Sequence, residues 1–236
     1  MRQILVLIKE DNFLIPIVIF SAVGVIMFLS FYFSDKNRIL RELKKSRRKN
    51  ISSVRDREYA KLVGKAKYVH EPLIAPLSGR KCVYYHVLVE RKGDKSWHTM
   101  IDETKKQDFF IESNSELAIV KADSETDSFK RVYLVKDHEK NSGFMNDPTI
   151  KLENYLAQHN KDSTGLLGFN KTIRYKEGII ALDEKIAVKG IGKWKALNEP
   201  IEGFSYSRVL TLQGSEKEKL LITDEPKALE RVERKI

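Results

Sequence analysis

One uncharged run decides where this chain can reside. Phe13 to Phe33, FLIPIVIFSAVGVIMFLSFYF, holds 21 residues and no charged side chain. As a helix rising 1.5 Å per residue it would be roughly 32 Å long, enough to cross a hydrocarbon core of about 30 Å. Ser21 and Gly24 are its only small polar or helix-weakening residues in mid-span, and lipid tolerates both. Pro16 falls in the first turn, where a missing N–H costs little. Tyr32, between Phe31 and Phe33, suits an interfacial aromatic position. A cleaved signal peptide fits less well: the run is too long, no small-x-small site follows, and the positive charge comes after it. A buried soluble helix would show a polar face, and none interrupts this run.

Flanking charge predicts the orientation. Before the run, Arg2 and Lys9 are balanced by Glu10 and Asp11. After it come Lys36, Arg38, Arg41, Lys44, Lys45, Arg47, Arg48 and Lys49, opposed only by Asp35 and Glu42. Basic residues are retained on the cytoplasmic side, so the N-terminus is expected outside and the large C-terminal part in the cytoplasm. The short N-terminal piece, with its apolar Ile4 to Ile8, is expected at the outer interface. The expected divisions are 1–33 for that piece and the span, 34–57 for a basic juxtamembrane helix and linker, 58–226 for a folded domain, and 227–236 for a charged tail.

The collar, KNRILRELKKSRRKN, reads as a helical continuation of the span. Ile39, Leu40 and Leu43 share one side and basic residues fill the rest. Two readings stand: contact with anionic headgroups, or a topology signal on a solvated stalk. Much of the chain's net charge of +10 sits here, so it is no nucleic-acid signature of the domain. The single cysteine, Cys82, permits no internal disulfide and no cysteine-based zinc cluster. The five histidines show no metal-ligand spacing, and no cofactor is expected.

From Tyr59 the pattern favours short strands. Candidates are 62–69, 82–90, 97–101, 109–111, 117–120, 132–135, 172–180, 185–189, 209–213 and 220–223. Cys82 to Glu90, β-branched and aromatic, is the strongest and is expected to be central. Leu73 to Gly79 reads as a turn-rich connector, and 137–146 and 160–168 as loops. Thr149 to His159 is the one good helix, with Ile150, Leu152, Tyr155 and Leu156 on one face and Asp147-Pro148 ahead of it. A terminal helix over 225–236 would carry Leu229 and Val232 on one side. The expected fold is mainly β: one transmembrane helix, then an antiparallel, barrel-like domain with one or two short helices.

Three blocks carry a resemblance. KLVGKAKYVHEPLIAPLSGRKCVYYHVLVERK supplies Gly64, Pro72-Leu73, Pro76-Leu77, Cys82 and Tyr84-Tyr85. KTIRYKEGIIALDEKIAVKGIGKW supplies Arg174, Tyr175, Glu177 and Gly190. KLLITDEP closes the set. In this order, behind a membrane span, they resemble the GIDE domain family over roughly residues 58–226. Asp183 stands where that family usually has glycine. The family is known from a RING-type mitochondrial ubiquitin ligase, so the resemblance implies a membrane-adjacent domain that recognises partners. It does not carry over ligase chemistry, because a RING needs eight Cys/His ligands and this sequence has one cysteine.

Weighed singly, these residues read as structural. Pro72, Pro76 and Gly79 fix a connector. Cys82 is a small core residue rather than a nucleophile. Tyr175 and Glu177 share one strand face and Arg174 lies on the other; Glu177 is expected either to satisfy buried backbone or to pair with a cation. Gly190 and Gly192 read as a bulge or hairpin turn rather than a phosphate loop. Trp97 and Trp194 read as packing residues. The functional expectation is a membrane-tethered module that binds the bilayer and a protein partner. The competing readings are an enzyme component, either ubiquitin-ligase-like by resemblance or a hydrolase, and an OB-like nucleic-acid binder. No basic stripe on the domain favours the last.

Overall fold

The apolar run folds as a helix, α1 (Leu14–Phe33), and ends at Ser34. The computed structural model describes residues 14–69, 71–123, 126–142, 147–164, 170–197 and 207–230. Phe13 and the N-terminal piece lie outside them, as do His70, Gly143 and Val232. Over Pro16–Phe33 the mean hydropathy is 2.2 and no part is buried against the chain. The helix is therefore long and apolar enough to cross a membrane.

The collar does not continue α1. Ser34 breaks helical geometry at ψ 145°, and its hydroxyl accepts the Asn37 N–H at 3.4 Å, so it caps a new helix, α2 (Asp35–Lys45). A 3-10 turn at Ile51–Ser53 follows.

Among the described residues twelve strands come next. They are β1 (Tyr59–Tyr68), β2 (Leu73–Ile74), β3 (Lys81–Lys92), β4 (Trp97–Lys106), β5 (Phe109–Ser113) and β6 (Glu116–Val120), then β7 (Lys130–Tyr133), β8 (His138–Ser142), β9 (Ile173–Ala181), β10 (Lys185–Ala196), β11 (Arg208–Gln213) and β12 (Leu220–Thr223). Helix α3 (Ile150–Gln158) separates β8 from β9, and one turn of helix, α4 (Pro226–Leu229), follows β12.

Five strands close a barrel in the order β1-β5-β6-β11-β10, with β10 returning to β1. Taken in chain order this ring runs 1-2-3-5-4, the connectivity of an OB-type barrel. β12 and β7 extend from β10 as a flap. The expectation of purely antiparallel pairing is corrected at two places: β6 with β11, and β7 with β12, are parallel. Both pairs are joined by long connections, which parallel pairing requires.

Alternation along each barrel strand fills the interior with Leu62, Ala66, Phe109, Ile111, Ala118, Val120, Ile186, Val188, Leu210 and Leu212, all buried. Gly64 sits where β1 leaves β10 for β5, and a Cβ there would lie 2.2 Å from the Glu112 carbonyl oxygen. Gly190 sits where one edge of β10 passes from β12 to β11, and a Cβ would meet Leu220 at 2.8 Å. At Gly64 the facing backbone leaves no room for a side chain, whereas at Gly190 the nearest atom is the end of the Leu220 side chain, with the Gln213 carbonyl oxygen at 3.0 Å. Gly190 and Gly192 thus lie inside β10, not in a hairpin turn.

The second sheet is assembled from two insertions into the barrel. β2, β3 and β4 lie between its first and second strands; β8, α3 and β9 lie between its third and fourth. β3 is central as predicted, pairing with β4 along one edge and β9 along the other. A register shift between Cys82 and Tyr84 lets β3 serve two cores: Val83 and Tyr84 face the barrel, Cys82 and Tyr85 the sheet. α3 covers the sheet with Leu152, Tyr155 and Leu156.

Three local expectations change. Part of the 137–146 loop is β8, paired with β9 over His138–Ser142. α3 starts where expected, with the Thr149 hydroxyl capping it by accepting the Leu152 N–H. That start places Ile150 at the first helical position, 76% exposed instead of on the apolar face. The described part of the terminal helix is only α4, with Leu229 packed towards α2.

The expected linker is also part of the fold. Ile39, Leu40 and Leu43 of α2 are buried on the barrel's outer surface against Val63, Ala187, Leu221 and Ala228. Ile51 and Val54, one at the start of the 3-10 turn and one just after it, enter the barrel core. The folded unit therefore begins at α2 rather than at residue 58.

Candidate membrane-proximal site

The basic collar divides into cations used by the protein and cations left at its surface. Lys36 pairs with Glu225 at 2.9 Å and lies over the Tyr133 ring. Its ammonium is held above the usual lysine range, first by the Glu225 hydrogen bond. Arg48 donates to the Ser113 hydroxyl at 3.2 Å, and Lys49 pairs with Glu58. These three hold the collar to the domain, which argues against their use as headgroup contacts. Arg38, Lys44, Lys45 and Arg47 remain exposed. Arg41 turns back to the span: its guanidinium lies 3.9 Å from the centre of the Tyr32 ring and donates to the Tyr32 carbonyl at 2.6 Å.

Beneath α2 a buried charge cluster fixes the helix to the barrel. Lys189 of β10 reaches Glu42 at 2.5 Å and lies over the Tyr59 ring. The Tyr59 hydroxyl donates to the Lys219 carbonyl at 2.7 Å, and burial pushes its ionisation well up. Lys61, 2% exposed, donates to the Leu43 carbonyl at 3.2 Å, so its ammonium meets the negative end of the α2 dipole. Burial, then the neighbouring Arg48 and Lys189, holds the Lys61 ammonium below its ordinary range.

Next to this cluster opens a cleft of about 560 Å³. One wall is α2, with Arg38, Arg41, Glu42 and Lys45. The other is Arg131 of β7 and the β11–β12 turn, with Lys217 and Lys219. Six cations face three carboxylates, Glu42, Glu216 and Glu218, and Glu42 is already committed to Lys189. The cleft can hold an anion. Sequence reading found its α2 wall but missed Arg131, Lys217 and Lys219. The signal available was weak, since EKEK at 216–219 has the pattern of an ordinary solvated turn.

The motif residues gather elsewhere, as structural pins. Glu177, fully buried, accepts the N–H groups of Leu77 and Ser78 at 2.8 and 2.9 Å. Of the two roles expected for it, satisfying buried backbone is the one observed. It ties the Pro72-Leu73 to Pro76-Leu77 connector to β9. Tyr175 is buried beside it in the sheet core, and Arg174, on the opposite face, forms a fork on Glu90 at 2.6 and 3.0 Å beneath Trp97. Cys82 is buried and points at the Leu73 carbonyl; burial pushes its thiol up to about 11, so it is not a thiolate at neutral pH. Tyr84 is likewise pushed up to about 12 by burial. Asp183 adopts φ +63°, the left-handed geometry glycine favours, so the β9–β10 turn keeps its shape without glycine.

A second polar group links α3 to β4. The Tyr155 hydroxyl donates to Glu103 at 2.5 Å, and Tyr85 and His159 lie at 3.5 and 3.4 Å from the same carboxylate. Burial pushes Glu103 up, but the Tyr155 hydroxyl and the nearby Lys105 and His159 outweigh it and hold it below the usual range. No His/Cys/Asp/Glu group among the described residues could hold a metal ion. No known family, curated protein or solved structure matches this chain.

Proposed function

We propose that this chain is a single-pass membrane-anchored binding module, with its N-terminus outside and its β-rich domain in the cytoplasm, serving as a scaffold for a protein partner. The observation that carries this reading is the seat of α2. One residue after a helix suited to lipid, the chain docks three large apolar side chains on the barrel, leaving no stalk between membrane and domain. A domain so placed meets partners at a fixed height above the bilayer. The excess of cations after α1 supports the cytoplasmic side. In this reading the domain acts by binding.

Two measurements test this. Protease added outside intact cells should leave the domain whole, and cleavage there would reverse the orientation. Cross-linking in native membranes, followed by detergent extraction, should recover the chain with a stoichiometric protein partner. A chain recovered alone under both mild and cross-linked conditions would remove the scaffold role.

A further inference from the structure

We propose that the cleft beside the end of α1 binds the phosphate of an anionic phospholipid headgroup. The proposal rests on the reading of α1 as a membrane anchor and deepens it, because it assigns a lipid to residues far from the collar in sequence.

Arg38, Arg41 and Lys45 follow one another at three and four residues along α2, so they line one side of the helix. That side is not the one docked on the barrel. Across the gap stands Arg131, and the β11–β12 turn adds Lys217. Among the described residues, Arg38, Lys45, Arg131 and Lys217 have no carboxylate within 4.0 Å, whereas Lys36, Lys49 and Lys189 each have one. Glu216 and Glu218 share the turn with Lys217 and oppose it, so Arg131 and the α2 residues supply most of the attraction. Four cations without a carboxylate partner, drawn from three separate stretches of sequence, thus meet at one concavity, while Lys44 and Arg47 stay outside it.

The position selects the occupant. Arg41 lines the cleft and at the same time stacks on Tyr32 in the last turn of α1. A lipid lying against α1 presents its phosphate at that level, with its acyl chains alongside the helix. Free inorganic phosphate could satisfy the same charges but would gain nothing from the neighbouring apolar surface. Guanidinium groups on both walls suit the geometry of a phosphate diester.

The test uses the full chain in neutral detergent, titrated by calorimetry with dihexanoyl phosphatidylglycerol, dihexanoyl phosphatidylcholine and inorganic phosphate. Phosphatidylglycerol should bind at least tenfold more tightly than either of the others. Arg131→Gln and Lys217→Gln should each weaken it by roughly fivefold, in line with the contribution of one basic residue at an anionic surface. Arg47→Gln, exposed on the collar but outside the cleft, should leave it unchanged, and thermal unfolding should show all three variants folded. Equal binding of the two lipids, equal binding of inorganic phosphate, or an equal loss in Arg47→Gln would overturn the site. Carbonate extraction of the full chain from membranes separates the two proposals. A chain released into the aqueous phase refutes the anchor; a chain retained but indifferent to phosphatidylglycerol refutes only the cleft.

Discussion

The barrel and the α3-covered sheet solve the same burial problem differently. The barrel is closed, so its strands satisfy one another, and its interior is apolar. The sheet is open and made of two distant insertions, so pairing alone does not fix its edges. It adds polar pins: the buried Glu177 on the connector backbone, and the half-buried Glu103 between α3 and β4. Closure fixes a fold by geometry, whereas an open sheet of borrowed strands fixes itself by specific hydrogen bonds. Substitutions should therefore act on the two regions by different mechanisms.

The largest effect is expected from Gly64→Ala. The added methyl would meet the Glu112 backbone, which has little room to yield, so the corner where β1 changes partner would have to open. A loss of about 3 kcal/mol or more is expected in urea unfolding. A change below about 1 kcal/mol would show that the barrel tolerates a breach.

Glu177→Ala follows, at about 3 kcal/mol. Two buried N–H groups lose a charged acceptor, each such bond contributing about 1.5 kcal/mol or more. Limited proteolysis should then cut first in the connector over 72–80, while the barrel stays protected. Simultaneous loss of both regions would mean that the two fold as one cooperative unit.

Asp224 sits at the seam, where its carboxylate accepts the Val135 N–H at 2.8 Å and holds the flap strand β7 to the end of β12. Burial pushes it up to about 7, against the pull of that hydrogen bond, and the nearby Glu184 and Asp137 add to the rise. The folded protein thus holds this proton more tightly than the unfolded chain, whose carboxyl keeps its ordinary value of 3.8. The stabilisation is full below about pH 4, fades as pH rises, and is gone above about pH 7. Between pH 5.5 and 7.5 this group should remove about 2 kcal/mol. Asp224→Asn should flatten that part of the profile, and an unchanged slope would assign it to other groups.

The smallest effect is expected from Tyr155→Phe, about 1 kcal/mol, since it removes one hydroxyl donor from Glu103 and leaves the ring packed. Hydrogen exchange in α3 should rise while that of β10 does not. Equal acceleration in both would end the distinction between the regions.

Much of this was legible from one-dimensional pattern. Short apolar runs rich in β-branched and aromatic residues marked β1, β3, β9 and β11, and the uncharged run marked α1, because those signals are local. The failures were also physical. β8, HEKNS, is polar because it is an edge strand with little face to bury, so its composition resembles a loop. Gly190 and Gly192 looked like a bulge or turn because only the partner strands reveal the close approach. The break at Ser34 looked like continuous helix because its one signal, a serine cap, lies within a strongly helical stretch. Arg131 and the β11–β12 turn met α2 only through tertiary folding, which no local window reports.

That break has a mechanical consequence. With a single residue between the oily rod and a helix riveted to the barrel, there is no slack to absorb rotation. If the bilayer thins or thickens and the rod leans to match, the whole domain must swing with it, presenting a different flank to the surrounding solution.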